Sequence, residues 1–171
     1  MNHDSYNPDP LFEQAVAEVL RWEGGFVDDP LDPGGATRFG ISQRQYPQLD
    51  IRALTVTAAT AIYRRDWWER YGYGRLPHPR VAARVFGLAV NIGPVPAHRC
   101  LQRALRANGQ PVREDGKLGP RTYAACGQVH AAALLAALSS EAAGYYRGLV
   151  CARPPLKRFL AGWLRRAYGE G

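Results

Sequence analysis

The stretch from Asp9 to Ser42, DPLFEQAVAEVLRWEGGFVDDPLDPGGATRFGIS, holds a helix, a stop and a turn-rich segment in succession. Asp9 can accept hydrogen bonds from the free N–H groups of a first helical turn, and Pro10 tolerates the first helical position because its missing N–H is not needed there. Leu11, Phe12, Ala15, Val16, Val19 and Leu20 then recur at helical spacing. A helix is expected over 10–23. Gly24-Gly25 stops it, and Asp28, Asp29, Pro30, Asp32, Pro33, Gly34 and Gly35 make a structured loop or small hairpin that ends at Phe39-Gly40-Ile41. Glu23 therefore stands at the C-terminal end of a helix. There the dipole opposes a negative charge, and the Trp22 ring and the apolar face can offer a dry wall.

That placement suits one kind of chemistry. Breaking a glycosidic bond takes a proton for the departing oxygen and support for the positive centre left behind, so a pair of carboxyl groups is the usual equipment. Glu23 is the candidate acid, because desolvation and the helix end both favour its protonated form. Gly25 lets backbone approach a bulky sugar closely. Asp32 is the candidate second carboxylate, with Asp28 and Asp29 as alternatives, and Thr37 can assist or simply pack in the hairpin.

Outward from this stretch the chain reads as nearly all helix. Ser42 and Gln45 have the spacing of a capping box for a short helix, and Thr55 can cap a longer one over about 56–71, with Val56, Ala59, Ile62, Tyr63, Asp66, Trp67 and Arg70 on one face. Gly72 and Gly74 end that helix. Further helices are expected over 79–92, ended by Asn91-Ile92-Gly93-Pro94, and over about 95–107, with Leu101 and Leu105 inward and Arg99, Arg103 and Arg106 outward. Asn108 to Gly119 is a loop. Pro120 opens the next helix, an Ala-rich one runs to about Leu149, and Pro154-Pro155 breaks the chain before an amphipathic tail helix from Leu156 to Tyr168.

The 171 residues suffice for one domain of ordinary composition, with 46% hydrophobic and 22% charged residues. No apolar run reaches the ~18 residues of a membrane-spanning helix. Met1 to Pro10 has neither the basic nor the apolar region of a secretory signal, so release after cytoplasmic synthesis would need another route, such as a holin. Cys100, Cys126 and Cys151 are odd in number and widely spaced, and are read as small buried hydrophobes. His3, His78, His98 and His130 lack ligand spacing, so no metal and no other cofactor is expected.

Charge is uneven along the chain. Residues 1–75 carry eight Arg against eleven acids, whereas residues 76–171 carry fourteen Lys and Arg against four. A basic second half suits an anionic surface: wall polymer, lipid or nucleic acid.

The run from Glu23 to Ser42 resembles the signature of glycoside hydrolase family 108, lysozyme-like N-acetylmuramidases found among phage endolysins and secretion-associated proteins. The resemblance continues through Tyr46-Pro47-Gln48-Leu49-Asp50, Leu54-Thr55, Ile62-Tyr63 and Asp66-Trp67-Trp68. It also includes the Asn91-Ile92-Gly93 helix ending. Leu101-Gln102, Leu105, Asp115-Gly116-Lys117-Leu118-Gly119-Pro120-Arg121-Thr122 and the tail from Tyr145-Tyr146 to Leu164 resemble the C-terminal region predicted in this family to bind peptidoglycan. In phage-type lysozymes the Glu is followed by Asp after eight residues and by Thr after five more. Here Thr37 comes one residue early.

The resemblance implies a mainly α, lysozyme-like fold with a small hairpin carrying part of the site. It implies an extension over 1–10, a catalytic region over 11–93 and a helical C-terminal region over 94–171, packed as one unit. The implied reaction is hydrolysis of the β-1,4 bond between N-acetylmuramic acid and N-acetylglucosamine. Glu23 would act as acid, Asp32 and Thr37 would support it, and Asn91, Tyr46, Trp67, Gly25 and Phe39 would meet the glycan. A carboxyl separation of roughly 5–5.5 Å would mean retention and 6.5–9.5 Å inversion, which a sequence leaves open. A monomer acting on peptidoglycan strands is expected.

Two other functions use the same residues. A lytic transglycosylase also needs a single Glu, and a wall-binding or secretion-assisting module would need only the basic half. A specific nucleic-acid role ranks below both. The apolar face of the tail helix, Phe159, Leu160, Trp163 and Leu164, either docks on the domain or binds an anionic membrane surface.

Overall fold

The computed structural model describes residues 9–23, 25–26 and 35–169, and of Glu23 the backbone alone. The chain divides into two compact units, Met1–Gly74 and Arg75–Gly171. It is mainly α, with one two-stranded hairpin among the described residues.

In the first unit, α1 spans Pro10–Glu23. Its start is fixed by Asp9, whose Oδ1 accepts from the N–H groups of Leu11 and Phe12, both at 3.1 Å. The other carboxylate oxygen accepts from the Trp68 indole at 3.0 Å, so one side chain caps the helix and ties it to an element 59 residues away. Phe12, Ala15, Val16 and Val19 are buried. Phe12 meets the Trp68 ring at 5.6 Å.

Strands β1 (Thr37–Arg38) and β2 (Ile41–Ser42) pair antiparallel, with Thr37 opposite Ser42 and Arg38 opposite Ile41. Phe39 and Gly40 join them with φ of 53° and 76°. Two consecutive positive φ values make the tight reversal whose twist matches paired strands. Gly40 adopts this without strain, but Phe39 does not. Tyr63, fully buried, holds Phe39 there by donating to its carbonyl at 2.7 Å.

The capping-box expectation at Ser42 is not met by a helix. The Gln45 N–H does reach Ser42 Oγ at 3.3 Å, but residues 43–45 form turns only. Pro47 explains it, since its ring pushes Tyr46 out of the helical region and its nitrogen has no proton to donate. Gln43 braces the turn instead, donating to the carbonyls of Tyr46, Pro47 and Leu49.

Helix α2 runs over Val56–Tyr63, capped by Thr55 Oγ1 at 3.2 Å from the Ala58 N–H. A π-helical segment, Arg64–Glu69, continues it. This corrects the expected stripe. The wider π turns shift the inward face by about one residue, so Trp68 is buried and Trp67 half-buried. Val56, expected on the buried face, is 53% exposed because it lies in the first turn.

In the second unit α3 (Pro79–Ile92), α4 (Pro94–Ala107), α5 (Pro120–Gly127), α6 (Ala131–Ala152) and α7 (Leu160–Tyr168) follow the expected order, with a 3-10 segment, Pro154–Phe159, before the last. Its core is built chiefly by α3, α4 and α6, through Val85, Phe86, Leu101, Leu105, Leu134, Leu138 and Tyr146. Arg99, Arg103 and Arg106 point outward as their spacing predicts. Cys100 and Cys126 are buried, and burial lifts their thiols to about 11 and about 12. Cys151 is exposed, contrary to the expectation of burial, because it lies in the last turn of α6 beside the chain break.

Asp115-Gly116 is a knot in this unit. The buried Gln102 on α4 donates to Asp115 Oδ1 at 2.9 Å and to the Lys117 carbonyl at 3.0 Å, and accepts from the Gly116 N–H at 2.8 Å. His98 Nδ1 meets the Gly116 carbonyl at 2.9 Å. The tail helix packs on α6. Trp163 stacks on Tyr146 at 5.2 Å and on Phe159 at 5.8 Å, so much of the expected apolar face is engaged within the unit. Among the described residues no helix is long and apolar enough to cross a membrane.

Candidate active site

Glu23 is the final residue of α1, where the sequence places it. Its side chain, together with Asp28, Asp29 and Asp32, lies outside the described residues. Gly25 is exposed, and among the described residues a Cβ there would meet nothing within 4 Å. Phe26 follows, partly exposed, with the Arg52 guanidinium 4.8 Å from its ring centre. Thr37 sits on β1, and its hydroxyl donates to the Gly35 carbonyl at 3.2 Å. Phe39, at the hairpin tip, has the Arg38 guanidinium 5.2 Å from its ring centre.

Tyr46 and Trp67 are brought together. The Tyr46 hydroxyl donates to Asp66 Oδ2 at 2.9 Å and lies close to the Trp67 indole. Arg65 grips Asp66 with two nitrogens, at 2.7 and 2.8 Å, and holds that carboxyl below the usual range. Burial first, then the hydrogen bond and charge of Asp66, push the Tyr46 phenol up to about 12. The phenol thus stays protonated over the physiological range and keeps its orientation. Trp67 lies between Tyr63 and Tyr71, each 6.3 Å away centre to centre, in an aromatic row that continues to Tyr73. Half-buried rings of this kind can stack on sugar faces. Periodicity marked the rings, but not the bond from Tyr46 to Asp66, which joins residues 20 apart in the chain.

This brace is testable. In Asp66→Asn the Tyr46 phenol should titrate lower than about 12 while staying above the free value of 10, because burial remains. Carbon-13 labelling of the tyrosine rings and an NMR titration would measure it. An unchanged midpoint would mean that Asp66 does not act on the phenol.

Asn91, in the last turn of α3, does not cap its own helix. Its Oδ1 accepts from the Tyr146 hydroxyl at 2.6 Å, and Gly93, at φ 88°, ends the helix. This bond fixes which way the amide faces and directs its two N–H donors away from Tyr146. Tyr146 was legible as an aromatic on α6, not as the partner of Asn91, since 55 residues separate them.

Residues 16–93 match the family described as Glycosyl hydrolase 108, and residues 96–168 match the Predicted Peptidoglycan domain. A solved structure, SagA of Brucella abortus, is 29% identical, with 94% of this chain and 95% of that chain covered and a TM-score of 0.72. No curated protein sequence matches. The first family match runs past Gly74 into α3, so it draws on both compact units. Residues 16–93 thus match a glycosidase family, glycosyl hydrolase 108, and residues 96–168 match the predicted peptidoglycan domain, in the order that the sequence resemblance implies.

Proposed function

We propose that the protein is a muramidase that hydrolyses the β-1,4 bond between N-acetylmuramic acid and N-acetylglucosamine in peptidoglycan. The observation that carries this is the union, in one chain, of a glycosyl hydrolase 108 region and a predicted peptidoglycan domain, with Glu23 closing α1 at the head of the hairpin segment. Glu23 delivers a proton to the bridging oxygen as the bond breaks. Asp32 supports the positive sugar ring or orients water, and Thr37 assists from β1. The N–H groups of Asn91 donate to an N-acetyl carbonyl or a sugar hydroxyl. Tyr46, Trp67, Gly25 and Phe39 form the remaining contacts with the glycan.

The protein acts on the wall as a monomer, after holin-mediated or other release from the cytoplasm. Purified sacculi incubated with it should clear while new reducing ends accumulate. Sacculi that stay turbid and yield no reducing ends would overturn the proposal.

Tyr146→Phe checks the role of Asn91. The substitution keeps the ring against Trp163 and removes only the hydroxyl, so stability should fall by about 1 kcal/mol. Freed of its lock, the amide should bind glycan less well, raising KM several-fold with a smaller change in kcat. An unchanged KM would remove Asn91 from the glycan contacts.

A further inference from the structure

On the outer side of α6, Arg103, Glu141, Gly144, Tyr145, Gly148 and Leu149 line an open trough of about 460 Å³. Its floor comes from two glycines one helical turn apart. Glycine is among the poorest helix formers, since it loses the most conformational freedom on folding. Neither position needs glycine for internal reasons. A Cβ at Gly144 or Gly148 would meet nothing within 4 Å, and neither has a positive φ. The missing side chains leave the trough open along this turn of the helix.

The walls carry opposite charges. Arg103, on α4, gives Nε and Nη2 to Glu114 at 2.8 and 2.5 Å, a pair that holds the guanidinium in place. Its Nη1 and the Glu141 carboxylate have no hydrogen-bond partner among the described residues. Tyr145 adds a half-buried ring. The lining falls wholly within the residues that match the Predicted Peptidoglycan domain.

We propose that this trough binds the peptide stems of peptidoglycan, with Arg103 receiving a stem carboxylate and Glu141 a free stem ammonium. The inference rests on the wall-directed reading above and names the part of the wall that the second unit holds. Charge separates peptide from glycan here. An N-acetylated glycan, whose lactyl carboxyls are closed as amides, offers Glu141 no cation and Arg103 no anion. A stem containing a diamino acid offers both. The two glycines leave room for its backbone to lie against the helix.

The test uses the full chain carrying Glu23→Gln, so that the wall is not consumed, and measures co-sedimentation with sacculi of the diaminopimelate type. Gly144→Leu with Gly148→Leu fills the trough with good helix formers. The expected result is a melting temperature equal to or above the parent's and binding weakened at least tenfold. Glu141→Gln, which alters charge but hardly shape, is the second variant and should weaken binding several-fold. Free stem peptide containing diaminopimelate should compete for this binding, whereas neutral oligomers of N-acetylglucosamine should not.

Unchanged binding in both folded variants would overturn the proposal. So would equal competition by the neutral oligomers, which would make the glycan the occupant. Cleavage by the protein with Glu23 intact is read separately. Absence of new reducing ends beside trough-dependent binding would remove the hydrolase reading and leave the trough assignment standing.

Discussion

Glu23→Gln is expected to lower kcat/KM for wall hydrolysis by roughly 10²–10⁴-fold, the usual contribution of a positioned general acid. The amide keeps the size and polarity of the side chain but has no acidic proton to give, so the bridging oxygen would have to leave as an alkoxide. The fold should not change. α1 is anchored at its other end by Asp9 and by the buried face of Phe12, Val16 and Val19, none of which involves position 23. Glu18, exposed on the same helix, is the control. Glu18→Gln should retain full activity, and both variants should match the parent in circular dichroism and melting temperature. A Glu23→Gln protein that still clears sacculi at the parental rate would end the assignment.

The largest effect on stability is expected from Gln102→Leu. Gln102 is 1% exposed and uses both ends of its amide, donating twice and accepting once. Leucine fills a similar volume but leaves the buried Gly116 N–H with no acceptor and the Lys117 carbonyl with one donor fewer. An unsatisfied buried group costs about 1–3 kcal/mol, so a loss of about 3 kcal/mol is expected. Gly116, at φ 74°, packs against Val95 so closely that an added Cβ would lie 2.8 Å from Val95 Cγ1. Thermal or urea unfolding would measure the loss, and a change below about 1 kcal/mol would show that water replaces the amide. Activity on short soluble glycans should persist at temperatures where the variant stays folded, because Gln102 is not among the glycan contacts.

These two positions show what a sequence discloses. The end of α1 at Glu23 was legible because its signals are local: a cap and a proline, two helical turns of apolar residues, then Gly24-Gly25. The helix order of the second unit was legible for the same reason, with Pro79, Pro94 and Pro120 opening helices and Gly93 closing one. The role of Gln102 was not, because a polar residue on an amphipathic helix looks the same whether it faces water or braces a turn 13 to 15 residues away.

The departures have local physical causes that a plain helical period does not carry. Pro47 cancels the helix proposed by Ser42 and Gln45. The π-helical segment exchanges the places of Trp67 and Trp68 in the core. Cys151 escapes burial because it lies in the last turn of α6. Of the candidate site, the structure joins Tyr46 to Trp67 and puts Phe39 and Thr37 on one hairpin. It fixes Asn91 through Tyr146. The carboxyl groups of Glu23 and Asp32 fall outside the described residues, so their pairing rests on the spacing in the chain.

Digestion of purified sacculi in ¹⁸O-enriched water, followed by mass spectrometry of the released fragments, tests the proposed reaction most directly. A muramidase places one heavy oxygen on C1 of a reducing N-acetylmuramic acid. Label on N-acetylglucosamine, or unlabelled 1,6-anhydro ends, would contradict it.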